Sequence, residues 1–162
     1  MPVELYRVDN RLVHGQVLEA WLPKVRADAI LVVDDDVSAD PFQKCVLEAM
    51  GQSLIRICVV PTAEAMRSLD GELAKKRVIV LFKSLEQALA AYRSGMPMGR
   101  LNLGNIHPSP EARSLSPSVN LSPEDVGRLK ELIDAGVKVD ARAVPCESGP
   151  DVARFCQGST GA

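Results

Sequence analysis

Aromatic residues are scarce in this chain, at 4% of 162 residues, with a single Trp among them. A stacking platform for single-stranded nucleic acid needs such rings at close intervals and is excluded on that ground. No excess of charge compensates. Nineteen Lys and Arg stand against 21 Asp and Glu, a net charge of −2, so no basic face for a nucleic-acid backbone is expected. Long apolar runs are missing too: Ala29–Val33 and Val78–Phe82 have five residues each, where a membrane-spanning helix needs about 20. The start, Met1-Pro2-Val3-Glu4-Leu5-Tyr6-Arg7, lacks the basic and apolar regions of an export signal. The four cysteines, Cys45, Cys58, Cys146 and Cys156, form no CxxC pair and have no histidine at zinc-site spacing. They read as reduced cytosolic thiols, with Cys45 and Cys58 expected in the core.

What is present is an ordinary globular composition, 46% hydrophobic and 25% charged. The length fits one domain over residues 1–162, with a loose tail after about residue 157, and such a chain buries roughly 70% of its unfolded surface. Val3–Val8, Ala29–Val33, Ile55–Val60, Val78–Phe82, Arg100–Leu103 and Val137–Ala143 read as strands. Ile30-Leu31-Val32-Val33 does not alternate with polar residues, which marks a strand buried on both faces. Helix signals lie between. Ser38 or Asp40 caps a helix that opens on Pro41 and stops at Gly51. Ser84 with Gln87 makes a capping box for a helix running to about Arg93. Ser122-Pro123-Glu124-Asp125 opens the clearest helix, which Gly136 ends. Shorter helices are expected after Thr62, over about Gly15–Leu22 before Pro23, and over about Asp151–Cys156. Strands alternating with helices predict a doubly wound, mostly parallel α/β sheet with helices on both faces.

Two segments break the alternation: Asp9–His14, directly after the first strand, and Gly104–Ser118, a stretch rich in Pro, Ser, Asn and Gly that is long for a connector. Ligands of open α/β sheets gather where such loops follow strands. The two histidines, His14 and His107, fall one in each. An imidazole can act as nucleophile, base or ligand. Around His14 stand Arg7, Asp9 and Arg11, and Gly15 follows where a helix begins. Arginine donors beside a helix amino terminus make an anion site. A histidine there, with no Cys or Ser nucleophile motif, points to a phosphoryl carrier. The plainer alternative is a capping or surface histidine.

The segment Arg7-Val8-Asp9-Asn10-Arg11-Leu12-Val13-His14-Gly15-Gln16 closely resembles the active-site segment of the mannose/fructose/sorbose-family enzyme IIB components of the bacterial sugar phosphotransferase system. The resemblance continues through Val32–Asp40 and Leu101–His107 and ends near Pro145. It implies that His14 accepts a phosphoryl group from a IIA phosphohistidine and passes it to a sugar held by membrane IIC and IID components. That is a protein-phosphohistidine–sugar phosphotransferase step without a cofactor. It further implies a cytoplasmic protein, peripherally associated with a permease, whose partners are IIA, IIC/IID and a sugar. Self-association is left open. The alternative is an orphan IIB-like regulatory phosphoprotein not coupled to transport; an unphosphorylated ligand-binding module is the plainest option.

Arg11 is expected to stabilise charge on the phosphoryl group bidentately, with Asp9 orienting His14 or Arg11. Arg7 and Gly15 are expected at the phosphoryl or partner-binding surface. Asn102, Gly104, Asn105 and His107 form a second cluster there, with Arg113 beside it; Asn105 stands where family members commonly carry glycine. The run Asp34-Asp35-Asp36 with Asp40 admits a metal site or a capped strand end that walls a polar pocket.

Overall fold

The computed structural model describes residues 3–158. Strand β1 (Val3–Asp9) leads into a π-helical segment, Gln16–Trp21, which α1 (Leu22–Val25) extends. Then follow β2 (Ala29–Val33), α2 (Asp35–Ala39), α3 (Pro41–Ala49), β3 (Arg56–Val60), α4 (Thr62–Asp70), β4 (Val78–Phe82) and α5 (Leu85–Arg93). The chain continues with β5 (Arg100–Asn105), β6 (Arg113–Ser116), β7 (Val119–Leu121), α6 (Pro123–Asp134), β8 (Lys138–Asp140) and α7 (Val152–Gly158). Six strands form one parallel sheet in the order β3-β2-β4-β1-β5-β8. β6 and β7 make a separate antiparallel hairpin.

Every residue of β2 and of β4 is buried, as expected for strands covered on both faces. Side chains alternate across the sheet, so each strand feeds two cores. Tyr6, Val8, Leu31, Val33, Val80 and Phe82 pack with α4, α5, α6 and α7. Ile30, Val32, Ile57, Val59, Ile79 and Leu81 pack with the π-helical segment and Val37 of α2. The connection leaving β1 therefore lies on one face, while those leaving its neighbours β4 and β5 lie on the other. β1 sits at a topological switch point, and its carboxyl end opens into a crevice. No helix among the described residues is long and apolar enough to cross a membrane.

Several expectations need correction. The helix before Pro23 does not stop there: a π-helical turn over Gln16–Trp21 hands over to α1, which carries Pro23, and Arg26 closes it in the left-handed conformation. Asp34-Asp35-Asp36 agrees with the capped-strand-end reading, the added detail being a short helix, α2, whose first turn Asp34 caps by accepting from the Val37 amide at 2.8 Å. The stretch 104–118 contains the end of β5 and most of the β6–β7 hairpin. β6 is built mostly of Arg and Ser, weak in strand propensity, and β7 has only three residues, so neither registers in the sequence. The last strand shrinks from Val137–Ala143 to Lys138–Asp140, because beyond Asp140 the chain turns to the Arg7 side chain. Cys58 is buried as expected, but Cys45 is exposed on α3. Of the capping box, Ser84 accepts from the Gln87 amide, whereas the Gln87 side chain reaches Thr62 instead. The expected loose tail falls on residues 159–162, outside the described residues; α7 itself runs to Gly158.

Candidate functional site

The site is built from the end of β1. Arg7 and Asp9 are two residues apart in a strand and so share a face. Beyond Asp9 the chain turns tightly: the Leu12 amide donates to the Asp9 carbonyl at 2.9 Å, and the Arg11 amide to Asp9 Oδ1 at 3.0 Å. Closing that turn puts Leu12, a buried non-glycine residue, at φ 59°. Such strain persists where the surroundings enforce it, often at functional loops. The turn delivers His14, whose Nε2 lies 2.6 Å from Asp9 Oδ2. His14 is 13% exposed and Asp9 fully buried.

The same Asp9 oxygen accepts from Arg7 Nη2 at 2.9 Å and Nε at 3.2 Å, and from Asn105 Nδ2 at 2.9 Å. Burial alone would push the Asp9 carboxyl up. The His14 hydrogen bond, the Arg7 charge, Asn105 and the Arg11 amide together outweigh it and hold the carboxyl below its ordinary value. Asp9 is thus an ionised carboxylate that can only accept. The His14 Nε2 facing it must carry a proton. In the neutral ring, Nδ1 is then the nitrogen with the lone pair.

Arg7 has no exposed surface. Its remaining donors reach Asn102 Oδ1 at 2.7 Å and the Arg142 carbonyl at 3.1 Å. Asn102 is held in turn by Asp140, at 2.6 Å. Trp21 donates to the Ala143 carbonyl, and the guanidinium carbons of Arg7 and Arg142 lie 5.4 and 5.3 Å from its ring centre. Gly104 explains the room for this arginine: a Cβ there would lie 2.0 Å from Arg7 Cζ. Gly104 is also the extra residue of a β-bulge, since Val8 pairs with Leu103 but Asp9 with Asn105. The bulge turns Asn105 toward Asp9.

Arg7, Asp9, His14, Asn102, Gly104 and Asn105 therefore meet, as do three residues to which the sequence reading gave no role: Gln16, Trp21 and Arg142. The Gln16 carbonyl oxygen accepts from Arg11 Nη2 at 3.2 Å and Asn105 Nδ2 at 3.0 Å. Its place in the quoted ten-residue segment was the signal for it. Arg11 is exposed at the rim. Gly15 has ordinary helical angles and open space around it, with only Glu19 within 4.0 Å of a built Cβ. His107 is exposed and hydrogen-bonds Asn10, the residue after Asp9. Arg113 does not join the cluster; its guanidinium lies 4.6 Å from the Phe155 ring centre. Asp35 accepts from the Thr62 amide at 2.8 Å. Asp34, Asp35 and Asp36 wall a cavity of about 550 Å³ with Asn10, Lys83 and Gln87. No group of three metal-ligating side chains that could hold an ion is found among the described residues.

Residues 3–160 match the family model described as the sorbose subfamily IIB component of the phosphotransferase system. The sorbose-specific EIIB component of Lacticaseibacillus casei is 29% identical over 153 residues, covering 94% of this chain and 93% of the relative. The fructose-specific EIIB component of Bacillus subtilis (strain 168) is 25% identical over 161 residues, 99% of each chain. The crystal structure of the IIBSor domain of the sorbose permease from Klebsiella pneumoniae superposes with a TM-score of 0.87 at 28% identity, covering 99% of this chain and 98% of that one. This chain belongs to the sorbose subfamily of IIB components, the phosphocarriers of sugar phosphotransferase systems.

Proposed function

We propose that His14 is the phosphoryl acceptor, through Nδ1, that a IIA phosphohistidine is its donor, and that a sugar bound by IIC/IID components receives the group during uptake. The observation that carries this reading is the 2.6 Å contact between His14 Nε2 and the buried Asp9 carboxylate. It fixes the tautomer and directs the bare nitrogen away from Asp9.

The lone pair of His14 Nδ1 attacks the phosphorus of a donor phosphohistidine whose other ring nitrogen is protonated. The donor P–N bond breaks, its electron pair returns to the donor nitrogen, and the donor leaves as neutral imidazole. His14 keeps its Nε2 proton and becomes a phosphorylated imidazolium, whose charge the Asp9 carboxylate faces. In the second step a sugar hydroxyl oxygen attacks phosphorus, and the P–N electron pair returns to Nδ1. The hydroxyl proton goes to a base on the sugar's side. Phosphoryl transfer consists largely of positioning and charge stabilisation. Arg11, exposed at the rim and hydrogen-bonded to Gln16, is free to turn to the phosphoryl oxygens. Arg7 acts differently: buried, with its donors engaged, it is a positioning residue that supports Asp9. Asn102, Gly104 and Asn105 complete that support, and Gly15 leaves the approach to His14 open. His107 holds the loop through Asn10. The chain works as one domain at the cytoplasmic side of a permease.

The test is incubation with phosphoenolpyruvate, the general phosphotransferase proteins and a mannose-family IIA protein, followed by intact-mass measurement and phosphorus–nitrogen NMR. One phosphoryl group on His14 Nδ1 is expected. An unmodified protein, or a label on Nε2, overturns the reading.

A further inference from the structure

Helix α3 stands apart from the other long helices. It runs for nine residues, yet none of them is buried, whereas α4, α5, α6 and α7 each bury at least two. Leu47 and Met50 pack partly against the sheet. A second apolar stripe faces outward: Phe42, Cys45, Val46 and Ala49, spaced i, i+3, i+4 and i+7. Phe42 is 76% exposed and Val46 47%, and Cys45 and Ala49 are exposed as well. An amphipathic helix normally shows solvent its polar side. A helix with an uncovered i, i+3, i+4, i+7 stripe presents the pattern by which proteins dock.

The stripe begins beside the His14 loop. A cavity of about 230 Å³ joins Phe42, Val46 and Leu47 of α3 to Asn10, Arg11 and Leu12 of the loop, with Lys83 beside them. Leu12 is the residue held at φ 59°. The apolar surface is thus continuous with the rim of the phosphoryl site, and its flanks carry the cations Arg11 and Lys83.

We infer that the α3 stripe and this cavity form the docking surface for the phosphoryl donor protein, which seats an apolar side chain against Phe42 and Val46 and sets an acidic residue opposite Lys83, leaving Arg11 to the phosphoryl group. The inference rests on His14 being the acceptor. Transfer between two histidines is the step that demands such a seat. Each imidazole is tethered to its own backbone, and the reacting atoms must approach to about 3–3.5 Å, so the two protein surfaces must touch around His14. The sugar, although held by the permease components, is not a side chain fixed to a backbone, so its transfer sets a looser demand on the α3 face.

The experiment compares the wild type with the Phe42→Ser, Val46→Ser double variant, using two donors: a phosphorylated mannose-family IIA protein and phosphoramidate, a small molecule that needs no docking surface. Both substitutions are at exposed positions, so thermal unfolding is expected to be unchanged. Loss of one buried aromatic anchor lowers kcat/KM with the protein donor by on the order of 30-fold, carried by KM. The phosphoramidate rate is expected to stay within about twofold. Equal protein-donor rates in the two proteins overturn the docking surface. So does an equal loss with both donors, because the residues would then serve the chemistry. Sedimentation showing a wild-type dimer that the double variant abolishes assigns the stripe to a second copy, and likewise overturns it. A wild type labelled by neither donor refutes the acceptor assignment itself.

Discussion

Gly104→Ala is the substitution in which the architecture of the site is most exposed to measurement. A methyl at this position would lie 2.0 Å from Arg7 Cζ, 2.1 Å from Nη2 and 2.5 Å from Nε. The end of a flexible arginine ordinarily moves aside at little cost. Here it is fully buried and hydrogen-bonded to Asp9, Asn102 and the Arg142 carbonyl. Either the β5 bulge shifts away from β1, or the guanidinium leaves Asp9. Overpacking a core costs about 1–3 kcal/mol, and breaking one side of a buried ion pair about 3–5 kcal/mol. A loss of about 3 kcal/mol is therefore expected. In urea, with a slope of about 2 kcal/mol/M, the unfolding midpoint falls by about 1.5 M without a change in slope. A double-mutant cycle isolates the cause: with Arg7→Ala already in place, Gly104→Ala should cost little more. A Gly104→Ala protein within about 0.5 kcal/mol of wild type, or one whose cost is unchanged in the Arg7→Ala background, would refute the close packing of Arg7 on this glycine.

Arg11→Lys keeps the charge but loses the planar fork. Stopped-flow transfer from phosphorylated IIA is expected to slow by about 30-fold or more, while the unfolding midpoint barely moves, since Arg11 is exposed. Asp9 contributes a pH dependence whose sign follows from its lowered folded-state pKa. Its stabilisation is present in full above the ordinary carboxyl value of about 3.9 and drains away as pH falls from there through the depressed folded value. Denaturation at pH 7 and near pH 3.5 should therefore show an Asp9→Asn deficit that shrinks at the lower pH; a deficit that grows would reverse the sign. Chelator is expected to leave acceptance from phosphorylated IIA unchanged, because Asp34 and Asp35 serve as caps and loop anchors. A divalent-metal requirement in that isolated step would contradict the proposed transfer.

Much of the fold was legible because it is written in local signals. Buried Val and Ile runs mark β2 and β4, and Asp40, Ser84 and Ser122 cap the helices that follow them. What escaped is short or depends on distant partners. The β6–β7 hairpin was missed because its strands span only four and three residues, too few for an alternating pattern to stand out from the surrounding loop. At the site, the loop and its histidine were readable, but the division of labour between the arginines was not. Arg7 lies in a strand and Arg11 in a turn, yet only the bulge at Gly104 and the return of the chain at Arg142 decide that Arg7 is buried. Cys45 was expected in the core as an unpaired thiol, but it lies on an apolar stripe of α3 that faces outward. The structure leaves it uncovered, for a reason the chain alone does not contain.

The central claim, that His14 carries the phosphoryl group, is tested most directly by labelling His14→Ala and His107→Ala beside the wild type with the complete phosphoenolpyruvate-driven donor chain. The account predicts no label on His14→Ala and continued, at most slower, labelling of His107→Ala. It also predicts a wild-type label lost in acid and kept in alkali, as a phosphorus–nitrogen bond behaves. Full labelling of His14→Ala, or a label stable in acid, would contradict it.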